Sequence, residues 1–336
     1  MFKFFLGCFL VLTGLNSWGQ VSVISVTDED KHSTKEDFTH TFEYFILPLD
    51  NQTDAHMGKC QATRISRRWF ATAAHCLKNS CAKGCRIEMD LLEQPISALA
   101  EVKHTPKNPA VFIKPDFSYE VFAKNDLALI RLDLDHAPMR YYKRSPSGQI
   151  QILQTKQQFE QFLAKTPAAR RGMRRITSPS FPPILVFDND ANYLLDRKIS
   201  VISIFDGKRE VKPNPNTVHY VKKLELAYTK NFGIRRGMSG SGVMSNTGEF
   251  VGIISGILQV SKIEKNKAPT SLNEWFLFFA FNRPAIDFMK EVMGSDFYKL
   301  DLKDAYPGFV SYSRKNYKKI IEGVKGVQIQ ATSEAI

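Results

Sequence analysis

The chain has 336 residues, 43% of them hydrophobic and 24% charged, with 46 Lys and Arg against 34 Asp and Glu. That length and apolar content suit one large all-β unit or roughly two domains. The 25 Phe, with Gly (19) and Pro (16) at background levels, exclude a fibrous or wholly disordered chain.

The formal charge of +12 favours anionic partners without choosing among them. The basic residues fall in small clusters: Arg170-Arg171 with Arg174-Arg175, Lys222-Lys223, Arg235-Arg236, and Arg314 to Lys319. No nucleic-acid motif accompanies them, so they read as a solvated surface and no nucleic acid is expected as partner.

In chain order, Lys3 and an apolar run from Phe4 to Leu15 precede the small residues Ser17 and Gly19. This describes a secretory signal peptide over residues 1–19, too short to span a bilayer, which needs about 20 apolar residues. Residues 20–40 are polar and charged and read as a lead-in or propeptide. No later window is long enough for a transmembrane segment, so a secreted or periplasmic protein is expected.

Beyond the signal segment four cysteines remain: Cys60, Cys76, Cys81 and Cys85. An even number in an exported chain argues for disulfides, and of the three possible pairings local spacing favours Cys60–Cys76 with Cys81–Cys85. Zinc is the alternative, but spacings of 15, 4 and 3 intervening residues lack the paired C-x₂-C knuckles. No metal or other cofactor is expected.

Short segments rich in β-branched and aromatic residues follow: Phe42–Leu47, Gln61–Ile65, Trp69–Ala73, Leu127–Leu132, Ile184–Phe187, Ile199–Phe205 and Phe250–Ile257. Turn formers such as Asp206-Gly207 and Asn246-Thr247-Gly248 separate them, which predicts barrels or sandwiches. Two stretches carry helical spacing: Thr155–Ala164 through Phe159, Phe162 and Leu163, and Pro284–Met293 through Ile286, Met289 and Val292.

Three segments carry chemistry. In Trp69-Phe70-Ala71-Thr72-Ala73-Ala74-His75-Cys76, an apolar strand ends in a histidine beside a cysteine, and a disulfide there restrains the backbone of a candidate base. In Asn125-Asp126-Leu127-Ala128-Leu129-Ile130, an aspartate heads an apolar strand, at the rim of a core where a carboxylate can orient a histidine. In Gly237-Met238-Ser239-Gly240-Ser241-Gly242, a serine set among glycines exposes its hydroxyl and lets neighbouring N–H groups converge on one point.

In that order, separated by 51 and 113 residues, the three blocks resemble the chymotrypsin/trypsin-like serine protease family. The resemblance implies an all-β fold over residues 41–295: two six-stranded antiparallel β-barrels with a C-terminal helix and short extra helices. It leaves residues 296–336 as a C-terminal extension, whose basic and aromatic cluster (Tyr312, Arg314, Lys315, Tyr317, Lys318, Lys319) is expected to cap the barrel. It makes Ser239 the nucleophile, His75 the general base, Asp126 the orienting carboxylate, and the N–H groups of Gly237 and Ser239 the oxyanion hole. Ser255 would support Asp126, and Ser255, Gly256 and Ile257 would bind the backbone of a protein or peptide substrate as an added strand. Cys60–Cys76 matches the family's disulfide beside the catalytic histidine.

The chain departs from the digestive members at Met238, where they carry the aspartate that pairs with a new N-terminus. It is similar instead to the bacterial branch, whose motif often reads Gly-x-Ser-Gly-Ser. Gly233, expected at the base of the primary pocket, offers no carboxylate for Lys or Arg. Ile254 stands where Glu-specific members carry histidine. A small or apolar preference is expected, biased towards acidic residues by Arg235 and Arg236. The alternative function is a catalytically silent fold that binds peptides or surfaces, and oligomeric state is not legible.

Overall fold

The computed structural model describes residues 43–49 and 60–305, less the stretches 83, 94–95, 118–124, 135, 138, 145–149, 178–179, 189–192, 196–198, 206–207, 217, 222–225, 236 and 262–271. The signal segment, the lead-in, Arg236 and the cluster from Tyr312 to Lys319 lie outside the described residues.

The first sheet is antiparallel and has nine strands: β1 (Glu43–Leu49), β2 (Cys60–Arg64), β3 (Trp69–Thr72), β4 (Cys85–Glu93), β5 (Ile96–His104), β6 (Val111–Ile113), β7 (Ala128–Arg131), β8 (Met139–Arg144) and β9 (Ile150–Leu153). Its order is β6-β7-β3-β2-β1-β4-β5-β8-β9. Most of its consecutive strands pair as hairpins, the longest being β4–β5, in register from Cys85↔His104 to Glu93↔Ile96. On β5, Ile96, Ala98, Ala100 and Val102 are buried while Lys103 is exposed, the alternation of a sheet with one face on a core.

The second sheet holds β10 (Ile184–Val186), β11 (Tyr193–Leu195), β12 (Ile199–Phe205), β13 (Lys208–Pro213), β14 (Val218–Val221), β15 (Leu226–Lys230), β16 (Gly242–Ser245), β17 (Phe250–Ser261), β18 (Leu272–Ala280) and β19 (Leu302–Asp304). Eight follow the order β11-β14-β15-β18-β17-β16-β12-β13. β10 runs parallel to β17 and to β19, so the chain after residue 295 is stitched onto this sheet as far as it is described. The all-β, two-sheet architecture is thus present, with strands added at the edges beyond six per sheet.

Among the described residues, four α-helices accompany the sheets: α1 (Lys78–Cys81), α2 (Lys156–Lys165), α3 (Pro167–Thr177) and α4 (Arg283–Met293). α2 starts at a capping box in which Thr155 Oγ1 accepts from Gln158 N and the Gln158 side chain accepts from Thr155 N. α4 starts at Asn282, whose Oδ1 accepts from Ala285 N at 3.0 Å, with Pro284 in the first turn where its missing N–H costs nothing. α3 was not expected. Arg170, Arg171 and Arg174 are exposed on it and mask a narrow stripe, Ala169 and Met173, that packs on the first sheet's core.

Three apolar clusters hold the molecule together. One lies inside the first sheet (Ala62, Phe70, Ile87, Met89, Ile130), and one inside the second (Val201, Tyr220, Met238, Val243, Phe276, Phe278). The third is shared. Trp69, Ala71, Leu127 and Leu129 of the first unit pack against Ile202, Ile253, Phe279 and Phe281 of the second, with Ile286 and Met289 of α4 closing the end. This seam brings the three chemical segments to one place.

Candidate active site

His75 follows β3 in a single 3₁₀ turn, Ala74–Cys76, made by hydrogen bonds from Cys76 N to Ala73 O (3.2 Å) and Leu77 N to Ala74 O (3.0 Å). The small residues before it are needed because Ala73 and Ala74 are wholly buried against the sheet. Cys76 is disulfide-bonded to Cys60 at the start of β2, and Cys81 to Cys85 at the start of β4, so both expected pairs are present. Cys60 Sγ, Cys76 Sγ and a His75 ring nitrogen lie within 4.8 Å of one another. Both sulfurs are consumed by the disulfide, however, which leaves a single imidazole and no thiolate to hold a metal there.

Asp126 is aimed by the residue before it. Asn125 adopts φ +55°, a left-handed conformation that asparagine tolerates better than most. It is held by Lys114 Nζ donating to its Oδ1 at 2.6 Å and by its own Nδ2 donating to Asp116 O at 3.3 Å. The carboxylate, 1% exposed, accepts from His75 Nδ1 at 2.8 Å and from His75 N at 2.9 Å, so one side chain fixes both ring and backbone of the histidine. Its Oδ2 also accepts from Ser255 Oγ. Ser255 reaches it because the β17–β18 register shifts between Ile254 and Gly256, a bulge that turns this residue off the ladder.

Burial raises the Asp126 pKa, but the His75 charge and the hydrogen bonds from His75 and Ser255 outweigh it and hold the carboxylate below its ordinary range. Burial likewise pulls His75 down, and the attraction and hydrogen bond of Asp126 more than reverse that, leaving the imidazole above its ordinary value. With Nδ1 donating to the carboxylate, Nε2 is the nitrogen left to accept a proton, and it lies 3.7 Å from Cys76 Sγ.

Ser239 lies in a tight turn. Met238 before it is buried in the second sheet's core, and Ser241 N donates to Met238 O at 3.0 Å. Two backbone bonds dock this turn: Gln61 N donates to Ser239 O across the seam (2.7 Å), and Gly240 N donates to Ile254 O of β17 in the second sheet (2.8 Å). Gln61 follows Cys60, the disulfide partner of His75's neighbour, and Ile254 precedes Ser255, the partner of Asp126. Ser239 is therefore moored on one side to the histidine's anchor and on the other to the aspartate's. Gly237 and Gly240 take φ of +83° and +85°, which suits glycine. At Gly240 a Cβ would sit 1.9 Å from Gln61 O and 2.4 Å from Thr72 Oγ1, so side-chain absence is a packing requirement as well.

The pocket residues sort less fully. Gly233 has φ +103° with open space where a Cβ would stand, and its carbonyl accepts from Lys212 Nζ at 3.1 Å. Burial depresses the Lys212 pKa, and Arg235 adds repulsion that Glu210 partly offsets. Gly256 and Ile257 pair with Leu277 and Phe276 of β18, whereas the pairing of β17 with β16 ends at Ile253. Sequence reasoning missed Gln61, Asn125 as an aiming residue, and Lys212.

Residues 38–173 match the Trypsin family model. The match contains His75, Asp126 and both disulfides and stops short of Ser239. Among solved structures, the scabies mite inactivated protease paralogue S-I1 is 11% identical, over 75% of this chain and 94% of that one, with a TM-score of 0.39. HL collagenase is 12% identical, over 75% and 93%, with a TM-score of 0.38. Among the described residues no helix is long and apolar enough to cross a membrane.

Proposed function

We propose that the protein is an exported serine endopeptidase of the chymotrypsin/trypsin-like family, with one protease domain over residues 41–295 and a nucleophile motif of the bacterial type. The Cys60–Cys76 disulfide, the Trypsin match and the mostly antiparallel two-sheet fold support the family. The single observation that carries the chemistry is the buried Asp126 carboxylate bound at once by His75 Nδ1, His75 N and Ser255 Oγ. A carboxylate so held keeps one imidazole tautomer and stabilises the cation formed when Nε2 takes a proton.

The reaction then follows. Ser239 Oγ attacks the peptide carbonyl carbon while its proton passes to His75 Nε2, and the carbonyl oxygen gains the charge, which the N–H groups of Gly237 and Ser239 receive. His75 returns the proton to the leaving amine as the C–N bond breaks, which leaves an ester on Ser239. Water, deprotonated by the same nitrogen, attacks that ester and frees the serine. Met238 is buried and its thioether Sδ accepts from Arg235 N at 3.4 Å, which supports a turn that holds without a buried N-terminal ammonium. Gly233 leaves open space where a side chain would stand, which supports no requirement for Lys or Arg at the residue whose carbonyl is attacked, while Lys212 and Arg235 nearby are both paired with Glu210.

The test is cleavage of a mixed peptide library by the full mature chain. Peptide cleavage that disappears in Ser239→Ala is the required result. A folded wild-type protein that cleaves nothing defeats the reading and leaves the catalytically silent binding module.

A further inference from the structure

We infer that Gln61 is a positioning residue for the reaction proposed above: through its side-chain amide it fixes the peptide planes of the turn that carries Ser239. The claim rests on the serine peptidase reading for its kinetic consequence, though not for its structural one.

Gln61 is 1% exposed, at the second position of β2. Burying a primary amide costs free energy unless its hydrogen bonds are made. Here all are. Oε1 accepts from Ile204 N (2.8 Å) and from Ser241 Oγ (2.8 Å), and Nε2 donates to Ile204 O (3.0 Å) and to Gly237 O (3.0 Å). The orientation of the amide is dictated by its partners, since a backbone N–H can face only the oxygen and two carbonyls only the nitrogen. The main chain of the same residue adds Gln61 N donating to Ser239 O (2.7 Å) and Gln61 O accepting from Thr72 Oγ1 (2.7 Å).

Residues 237, 239 and 241 are thus each bound by this one residue, two through their carbonyls and one through its hydroxyl. The Gly237–Met238 peptide is clamped at both ends, its carbonyl by Gln61 and its N–H by Arg235 O at 3.3 Å. Gly237 has no side chain to restrain it and sits at positive φ, so losing the amide removes the shorter of the two bonds, 3.0 Å against 3.3 Å, that hold this peptide plane. Because the carbonyls of 237 and 239 are both held, the Met238–Ser239 peptide between them, and the N–H meant for the oxyanion, has its two ends fixed. The amide also spans the seam, joining β2 of one sheet to β12 of the other.

The experiment compares the full chain with Gln61→Met, which keeps the shape and removes all four side-chain bonds, and Gln61→Glu, which keeps both acceptor bonds but turns oxygen towards the carbonyls of Gly237 and Ile204. Peptide hydrolysis and amide hydrogen exchange over residues 237–241 are measured on each, with thermal melting as a check of folding. The expected result is a kcat lower by about 100-fold with KM within about threefold, because an oxyanion donor acts in the transition state far more than in the bound substrate. Exchange over 237–241 should rise at least about tenfold against the rest of the sheet, in proteins that still melt cooperatively. Folded variants with kcat within threefold and unchanged exchange overturn the inference, as does a KM rise that accounts for the whole loss. If wild type itself never hydrolyses peptide, the peptidase reading fails, and the exchange measurement alone still decides whether Gln61 holds the turn.

Discussion

His75 and Asp126 form a pair in which burial and mutual attraction oppose each other, and attraction wins on both sides. The histidine therefore titrates above its ordinary value and must be neutral to act as a base. Activity should fall as pH drops through an inflection above about 6.5, the usual imidazole value. In Asp126→Asn the attraction vanishes while burial remains, so the inflection should move below that value even as kcat falls by about 10⁴-fold from loss of the correct tautomer. A pH–rate profile of both proteins checks this, and an inflection that stays put would mean Asp126 does not face the working imidazole. The His75 and Asp126 segments stood out in the sequence because each lies in a short run whose neighbours are small or apolar for reasons of burial, whereas Ser255 was implied by the family resemblance alone. Gln61 was not. A polar residue on a strand ordinarily faces solvent, and only the approach of a second sheet makes it an interior hub. Lys212 was hidden for the same reason: a β12–β13 hairpin brings it to a carbonyl 21 residues further along the chain.

At the level of elements, the Ser239 turn is held by backbone contacts so close that they leave no room for a methyl group at Gly240. Gly240→Ala should destabilise the protein by about 2 kcal/mol, from overpacking and a positive φ together, and should lower activity further than stability. Denaturant unfolding beside turnover measures both losses. A variant of wild-type stability and rate would show that the turn does not seat against Gln61 and Thr72. Strands were readable wherever β-branched and aromatic residues were bounded by turn formers, as at Ile199–Phe205, which forms the strand with the same limits. α2 and α4 followed their apolar spacing to within a residue or two at each end. α3 did not, since its arginines outnumber the residues it buries and the packed stripe is only one side chain wide per turn.

For the whole molecule, His75 and Asp126 come from the first sheet, Ser255 and the Ser239 turn come from the second, and the shared cluster around Trp69, Leu129, Ile253 and Phe279 joins the two sheets. The Cys60–Cys76 bond joins positions 16 apart and packs against the first sheet's core, and removing it by the double change to alanine should cost about 3 kcal/mol, read from the urea midpoint. Activity should fall in parallel, because the same bond restrains the backbone of His75. An unchanged midpoint would show that the unfolded chain is not restrained by this loop.

Whether Ser239 is an activated nucleophile decides the proposed chemistry most directly. Reaction of the folded full chain with a fluorophosphonate, located by mass and peptide mapping, measures it. A single adduct on Ser239, formed at least about 10³-fold more slowly in His75→Ala, is the predicted result. No adduct on a protein that melts cooperatively, or one that forms equally fast without the imidazole, would contradict it.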